Sequence, residues 1–257
     1  MSSTKKTICL HLGAHKTAST FLQHSLIENK VDIEECDVRL YTPKELRQPK
    51  GVSPSLGQAF QKKDSSSKTA FNKSFEKLIS QTPQSRIVLS EENFLGFCGD
   101  IAHSSRLYKN AEFRLNMLKH ASAMHEVELC VCIRSMKSFL PSIYCQHLRH
   151  TNKIQNFNEF SENFSYGEPH WYDLIMRIHE IFKGCQITVW DYDDARSEIH
   201  LKRVMAEIIR NENTIDFQLK KSIINPSINA KGIEALNLFS SLLSHSEMSY
   251  FKKFLDS

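Results

Sequence analysis

Ile8-Cys9-Leu10-His11-Leu12-Gly13-Ala14-His15-Lys16-Thr17-Ala18-Ser19-Thr20-Phe21-Leu22-Gln23 opens as a short apolar run, passes through a loop with a glycine, a lysine and several hydroxyls, and enters a helical pattern. Strand, loop and helix in that order predict an anion cradle. Backbone N–H groups at the helix N-terminus face the ligand, hydroxyl donors stand beside them, and Lys16 supplies a mobile cation. The spacing is not that of a Walker A loop, which needs a glycine, four residues, then glycine-lysine-serine or threonine. Here Lys16 follows Gly13 by three positions, and Ser19 and Thr20 carry their hydroxyls into the first helical turn. Unpaired amides and the helix dipole favour an anion there. Thr17 follows the lysine as a metal-binding hydroxyl would, but the glycine frame that positions it is missing. The alternative is an ordinary helix cap with a surface lysine, since serine and threonine are common at caps.

Beyond this stretch, short β-rich runs alternate with helical patterns. Strands are predicted at Thr7–Leu12, Val38–Tyr41, Arg86–Leu89, Val127–Ile133 and Gln186–Trp190. Their mostly apolar character fits strands covered on both faces. Helices are predicted over 19–28, 70–80, 106–120, 137–149, 171–182, 197–210 and 231–244. The alternation implies an α/β chain: a P-loop-like three-layer sandwich with a central, mostly parallel sheet of about five strands and helices on both faces. At 257 residues the chain forms one such domain over 1–257, with no need of a second. Residues 42–69 contain Pro43, Pro49, Pro54, Gly51, Gly57 and the polar run Lys62–Lys68, and read as a surface excursion, either a lid or an ordinary loop. Residues 151–169 are also polar, and loops of this kind at the carboxyl ends of parallel strands hold acceptor specificity.

The net charge of +4 suits an acidic small ligand and is far from the field of a nucleic-acid binder. The cysteines at 9, 36, 98, 130, 132, 145 and 185 make no disulfide framework and read as reduced core thiols. Cys130 and Cys132, two apart on a strand, lack the second pair that a zinc site needs. The N-terminus is too short in apolar residues for a signal segment, and no run is long enough to span a bilayer. A cytoplasmic protein with no transmembrane segment is the expectation.

A second strand–turn–helix signal is Cys132-Ile133-Arg134-Ser135-Met136-Lys137-Ser138-Phe139-Leu140-Pro141-Ser142-Ile143-Tyr144-Cys145-Gln146. Arg134 stands at the strand end and Ser142 follows eight positions later. A planar guanidinium suits a phosphate because it donates parallel hydrogen bonds.

Together the two stretches resemble the phosphate motifs of sulfotransferases that use 3'-phosphoadenosine 5'-phosphosulfate (PAPS), especially the bacterial form with a lysine-threonine-glycine-threonine-threonine core. The chain departs from that core at Ala18, where glycine is usual and where alanine resists a positive φ. Softer likenesses are Ser90-Glu91-Glu92-Asn93 after the third strand, Asn225-Pro226-Ser227-Ile228-Asn229, and the last strand at Ile187–Tyr192. The resemblance implies PAPS as donor substrate, with no metal, and sulfuryl transfer to a hydroxyl or amine. His15, Lys16, Thr17, Ala18, Ser19 and Thr20 would hold the 5'-phosphosulfate, and Arg134 with Ser142 the 3'-phosphate. Lys16 would neutralise the charge moving to the leaving phosphate.

The acceptor must lose a proton as it attacks, and the adjacent acids Glu91 and Glu92 lie beside the expected site. The family's glutamate-asparagine pair favours Glu92. Side-chain alternation predicts that only one of the two faces the acceptor. Glu45 is a weaker candidate, and exposed loop acids are the plain alternative. His147 and His150, flanking Arg149, read as a solvated basic face rather than a metal site. Trp171, Tyr172 and Trp190 are core aromatics or adenine-stacking candidates. The acceptor (a glycan, a lipid-linked sugar or another small molecule) is not legible, nor is the oligomeric state. A P-loop kinase and a non-catalytic nucleotide-binding protein of the same fold remain the rivals.

Overall fold

A computed structural model describes residues 5–102, 106–150, 156–162, 164, 170–194, 197–210, 215–220 and 233. The stretch at 225–229, nearly all of the helix predicted over 231–244 and most of 151–169 lie outside the described residues. In chain order the elements are β1 (Thr7–His11), α1 (Ser19–Glu28), α2 (Lys30–Glu35), β2 (Val38–Tyr41), α3 (Pro43–Leu46), α4 (Val52–Lys62), α5 (Ser65–Ser80) and β3 (Arg86–Ser90). A 3₁₀ turn (Glu92–Phe94) leads to α6 (Cys98–Ala102), α7 (Ala111–Ala121), β4 (Glu126–Ile133), α8 (Met136–His150), α9 (Phe157–Ser161), α10 (His170–Ile181), β5 (Gln186–Asp191) and α11 (Glu198–Ile209).

The strands form one parallel sheet in the order β2-β3-β1-β4-β5. Alternation along each strand splits the apolar side chains between two cores. Ile8, Leu10, Ile87, Leu89, Leu129 and Val131 pack with α4, α5, α7, α8 and α10 on one face. Cys9, Val38, Leu40, Val88 and Cys130 pack with α1, α2 and α11 on the other. Both faces are therefore covered, which is why these strands read as near-continuous apolar runs. The three-layer α/β architecture is as expected.

The strand order also locates the site. After β1 the chain crosses to the β2 side of the sheet, and after β4 to the β5 side, although β1 and β4 are neighbours. The crevice outside their carboxyl ends is a topological switch point, where open α/β sheets bind ligands. Both sequence motifs leave the sheet there.

Residues 42–69 correct one expectation. They are helical, not a surface excursion: Val52, Leu56 and Ala59, spaced for one helix face, are buried in the core. Two of the three prolines that read as breakers sit at helix starts, Pro43 at the first position of α3 and Pro54 in the first turn of α4, while Pro49 lies in the turn between these helices. An amide at a helix start needs no intrahelical acceptor, so proline costs nothing. Asp64, inside the polar run, caps α5 by accepting from the Ser67 amide at 2.7 Å. The helix predicted from residue 106 begins only at Ala111. Among the described residues no helix is long and apolar enough to cross a membrane.

Candidate functional site

The loop from Leu12 to Ala18 joins β1 to α1 through an unusual backbone. Gly13 (φ 68°), Ala14 (36°), Lys16 (63°) and Ala18 (58°) all have positive φ. A Cβ on Gly13 would stand 2.9 Å from Ser19 Oγ, so glycine is required there for space as well as for conformation. Ala18 is the N-cap of α1 and adopts the left-handed conformation that alanine resists. Ala18 thus holds, at a cost in strain, a conformation that glycine adopts freely.

Partners from several elements hold the loop. Thr17 Oγ1 lies 2.8 Å from Ala14 O and 3.1 Å from Gly13 O, and Ser19 Oγ 3.0 Å from Gly13 O and 3.1 Å from Ala14 O. These two hydroxyls, expected on the donor anion, tie down the loop's own carbonyls. The His15 amide donates to Tyr108 Oη at 2.7 Å. Arg134, just past β4, donates from Nη1 to Lys16 O at 2.7 Å and from Nε to Ser138 Oγ at 2.9 Å, and its guanidinium lies 4.5 Å from the Tyr192 ring centre. Trp171 Nε1 donates to Arg134 O at 2.6 Å. The Arg134–Lys16 bond bridges the switch-point crevice and brings the two sequence motifs together.

The side chains around this bridge are cationic. Burial, followed by the neighbouring Arg149 guanidinium, pulls the Lys16 ammonium below the ordinary lysine range. Arg149 is half-buried and close enough to act on the Lys16 charge, and His147 is buried against Phe160, so these two residues do not form the solvated basic face expected. Ser138, Ser142, Cys145 and Arg149 share one face of α8 by spacing. Ser142 is buried, and the serine bonded to Arg134 is Ser138, one turn earlier. Ala18 is exposed and Thr20 half-buried, both at the open start of α1. The first-turn amides of Ser19, Thr20 and Phe21 have no intrahelical acceptor.

The acids after β3 do not behave as an alternating pair. Glu91 is fully buried; it accepts from Arg47 Nε at 2.8 Å and Nη2 at 2.6 Å and from the Asn93 amide at 2.9 Å. Glu92 accepts from the same Arg47 Nη2 at 3.0 Å and from Gln23 Nε2 at 3.4 Å. Both carboxylates converge on Arg47 because the strand stops at Ser90 and the 3₁₀ turn begins at Glu92. Glu91 is a structural acid with both oxygens occupied; Glu92 borders the loop, its Cβ 3.5 Å from where a Gly13 Cβ would be. Burial pushes the Glu92 carboxyl up, while the His15 imidazole in its protonated form and the Arg47 guanidinium push it down, the net direction being below its ordinary value. Glu45 is occupied elsewhere, in the α3 capping box and on Arg39 at 2.9 Å.

Beneath the loop, His11 Nδ1 meets Ser90 Oγ at 2.7 Å, and the imidazole stacks on Trp190 at 5.7 Å. Burial lowers its pKa to about 4. Trp190 and Trp171 therefore pack within the protein, while Tyr172 is exposed. Cys130 lies 3.7 Å from Cys9 in the core, and no disulfide joins any of the described cysteines. Among the described residues no three His, Cys, Asp or Glu side chains gather as a metal site.

Sequence reasoning missed Ser138, Arg149, Tyr108, Arg47 and Gln23. Ser138, four positions after Arg134, was within reach of a helix-spacing argument. The contacts of Arg47 and Tyr108 with the site cross long stretches of chain and leave no local signal.

No protein-family model matches the chain, and no curated protein does. Among solved structures the chain is similar to a sulfotransferase from Alicyclobacillus acidocaldarius, with 13% identity over 93% of each chain and a TM-score of 0.49.

Proposed function

We propose that the chain transfers a sulfuryl group from PAPS to a hydroxyl or amine acceptor. The observation that carries this reading is the Arg134–Lys16 bridge: an arginine at the end of β4 is bonded to the anion loop after β1, at the switch point of the sheet. Two anionic groups on one nucleotide suit two cationic elements held side by side. The amides of the first α1 turn and Lys16 take the 5'-phosphosulfate. Arg134 has committed two of its five N–H groups among the described residues, and the others serve the 3'-phosphate. Ser142 lies on the same α8 face and supports that end.

In the reaction a bond forms between the acceptor oxygen or nitrogen and sulfur as the bond from sulfur to the phosphate oxygen breaks. The electron pair goes to the leaving phosphate, where Lys16 neutralises it. The acceptor's proton goes to Glu92, which Arg47 and Gln23 hold in place. A sulfuryl group carries less charge than a γ-phosphoryl group, so cationic side chains suffice where a kinase uses magnesium. The acceptor class is a small hydroxyl or amine compound, a glycan among them.

Thermal unfolding with adenosine 3',5'-bisphosphate and with AMP tests the reading. At a hundredfold excess over its Kd a ligand adds about 2.7 kcal/mol, or roughly 5–10 °C for a domain near this size. The bisphosphate should give that shift and AMP much less, with the difference abolished in Arg134→Ala. Equal shifts with both nucleotides would remove the 3'-phosphate assignment; no shift with either would remove the donor.

A further inference from the structure

Tyr108 occupies the turn ahead of α7 with φ at 49°, a conformation that is an outlier for a bulky residue. Such strain persists only where the surroundings over-determine it. Its side chain is fully buried, and its hydroxyl meets one residue of the β1–α1 loop twice, 2.7 Å from His15 N and 2.9 Å from His15 Nδ1. A backbone N–H only donates, so the phenolic oxygen is the acceptor in the first bond. The phenolic oxygen has a second lone pair, but a fully buried hydroxyl must also place its own proton, and among the described residues Nδ1 is the acceptor within its reach; the second bond then runs from the hydroxyl to a bare Nδ1. A neutral imidazole then carries its proton on Nε2.

The surroundings favour that neutral form. Burial pulls the imidazole below the ordinary histidine range; the Glu92 carboxylate, the Asn93 side chain and Asp100 act in the other direction, and Arg47 acts with burial. Burial also pushes the Tyr108 hydroxyl well above its ordinary value, so it keeps the proton it donates.

We propose that Tyr108 is a positioning residue that fixes His15 as an Nε2–H donor within the anion loop, so that His15 is not itself the base. What the site transfers rests on the sulfuryl-transfer reading; the protonation pattern of His15 does not. Nδ1 is engaged by Tyr108 and Nε2 carries a proton, so neither nitrogen is left to take one from an acceptor. Glu92 is the remaining basic group bordering the loop.

Long-range proton–nitrogen correlation spectra of the full chain, labelled with ¹⁵N-histidine, read the tautomer directly. The His15 signals are assigned by their disappearance in His15→Gln. The expected result near neutral pH is a protonated Nε2 and a bare, hydrogen-bonded Nδ1. In Tyr108→Phe, which keeps the ring and loses the hydroxyl, the Nδ1 signal should shift and a second tautomer should appear. A proton on Nδ1 in the unaltered protein would overturn the proposal, as would a His15 spectrum that Tyr108→Phe leaves unchanged. If Tyr108→Phe does not fold, the spectrum of the unaltered protein still decides. No nucleotide is present in these spectra. An intact Nε2–H tautomer in a protein that fails to bind the bisphosphate would therefore sink the functional reading alone.

Discussion

Replacing Ala18 with glycine should stabilise the protein, against the usual direction of such a change. Ala18 caps α1 with φ 58° and ψ 23°, the left-handed conformation. Holding an L-residue there costs roughly 1–2 kcal/mol. Glycine removes that strain but loses more entropy on folding, by about 0.4–1 kcal/mol. Ala18 is exposed, so its methyl contributes no packing that glycine would forfeit. The net expectation is a gain of about 0.5–1 kcal/mol, or a rise in Tm of roughly 1–4 °C. Ala206, inside α11, is the control: there glycine should cost about 1 kcal/mol. Urea denaturation of Ala18→Gly, Ala206→Gly and the parent measures both, with equal m-values required so that midpoints report stability. A loss of stability in Ala18→Gly comparable to that in Ala206→Gly would refute the left-handed assignment, and with it the strain at Ala18.

Lys16→Ala should cut turnover by on the order of a hundredfold or more while weakening bisphosphate binding much less, because Lys16 acts where charge develops; near-normal turnover in steady-state assays would refute that role. The adjacent acids should separate by readout. Glu91→Gln breaks the buried pair with Arg47 and should lower stability by on the order of 2 kcal/mol, whereas Glu92→Gln should leave stability and bisphosphate binding close to normal and lower turnover. A stable Glu91→Gln that loses turnover would exchange the two assignments. His11 makes the fold sensitive to acid: its folded pKa of about 4 lies below the unfolded value, so the unfolded chain takes up the extra proton between. That stability is present above about pH 6.5 and is lost as pH falls towards 4, by ~3 kcal/mol in all. Urea midpoints across that range should fall less steeply in His11→Gln than in the parent, and parallel slopes would count against the buried neutral histidine.

Much of the fold was legible because its signals are local. Each of the five strands is an apolar run bounded by polar residues, and α1 spans the predicted Ser19–Glu28. The two strand–loop–helix elements were legible for the same reason, since a strand end, a loop and a helix start are neighbours in sequence. What failed depended on context. Pro54 disrupts a helix interior but not a first turn, and nothing near residue 54 says which it occupies. The opposite facing assigned to Glu91 and Glu92 presumed a strand that continues, whereas the backbone turns after Ser90. Tyr108 and Arg47 reach the site only once the sheet has brought the ends of β1 and β3 together.

The loop itself explains why those distant residues matter. Four of its backbone positions lie at positive φ and only Gly13 among them is glycine, so the local sequence does not favour the conformation that the site needs. Three independent contacts offset this: the Thr17 and Ser19 hydroxyls on the Gly13 and Ala14 carbonyls, Tyr108 on His15, and Arg134 on Lys16 O. The last is charge-assisted and the strongest in kind. A loop held this way from the turn before α7 and from the end of β4 is ordered before its ligand arrives, so binding does not have to supply the ordering free energy. Arg134 fixes the Lys16 backbone, and on the proposed function it is also a cation for the donor. Its removal should disturb both ends of the nucleotide, not the 3'-phosphate alone.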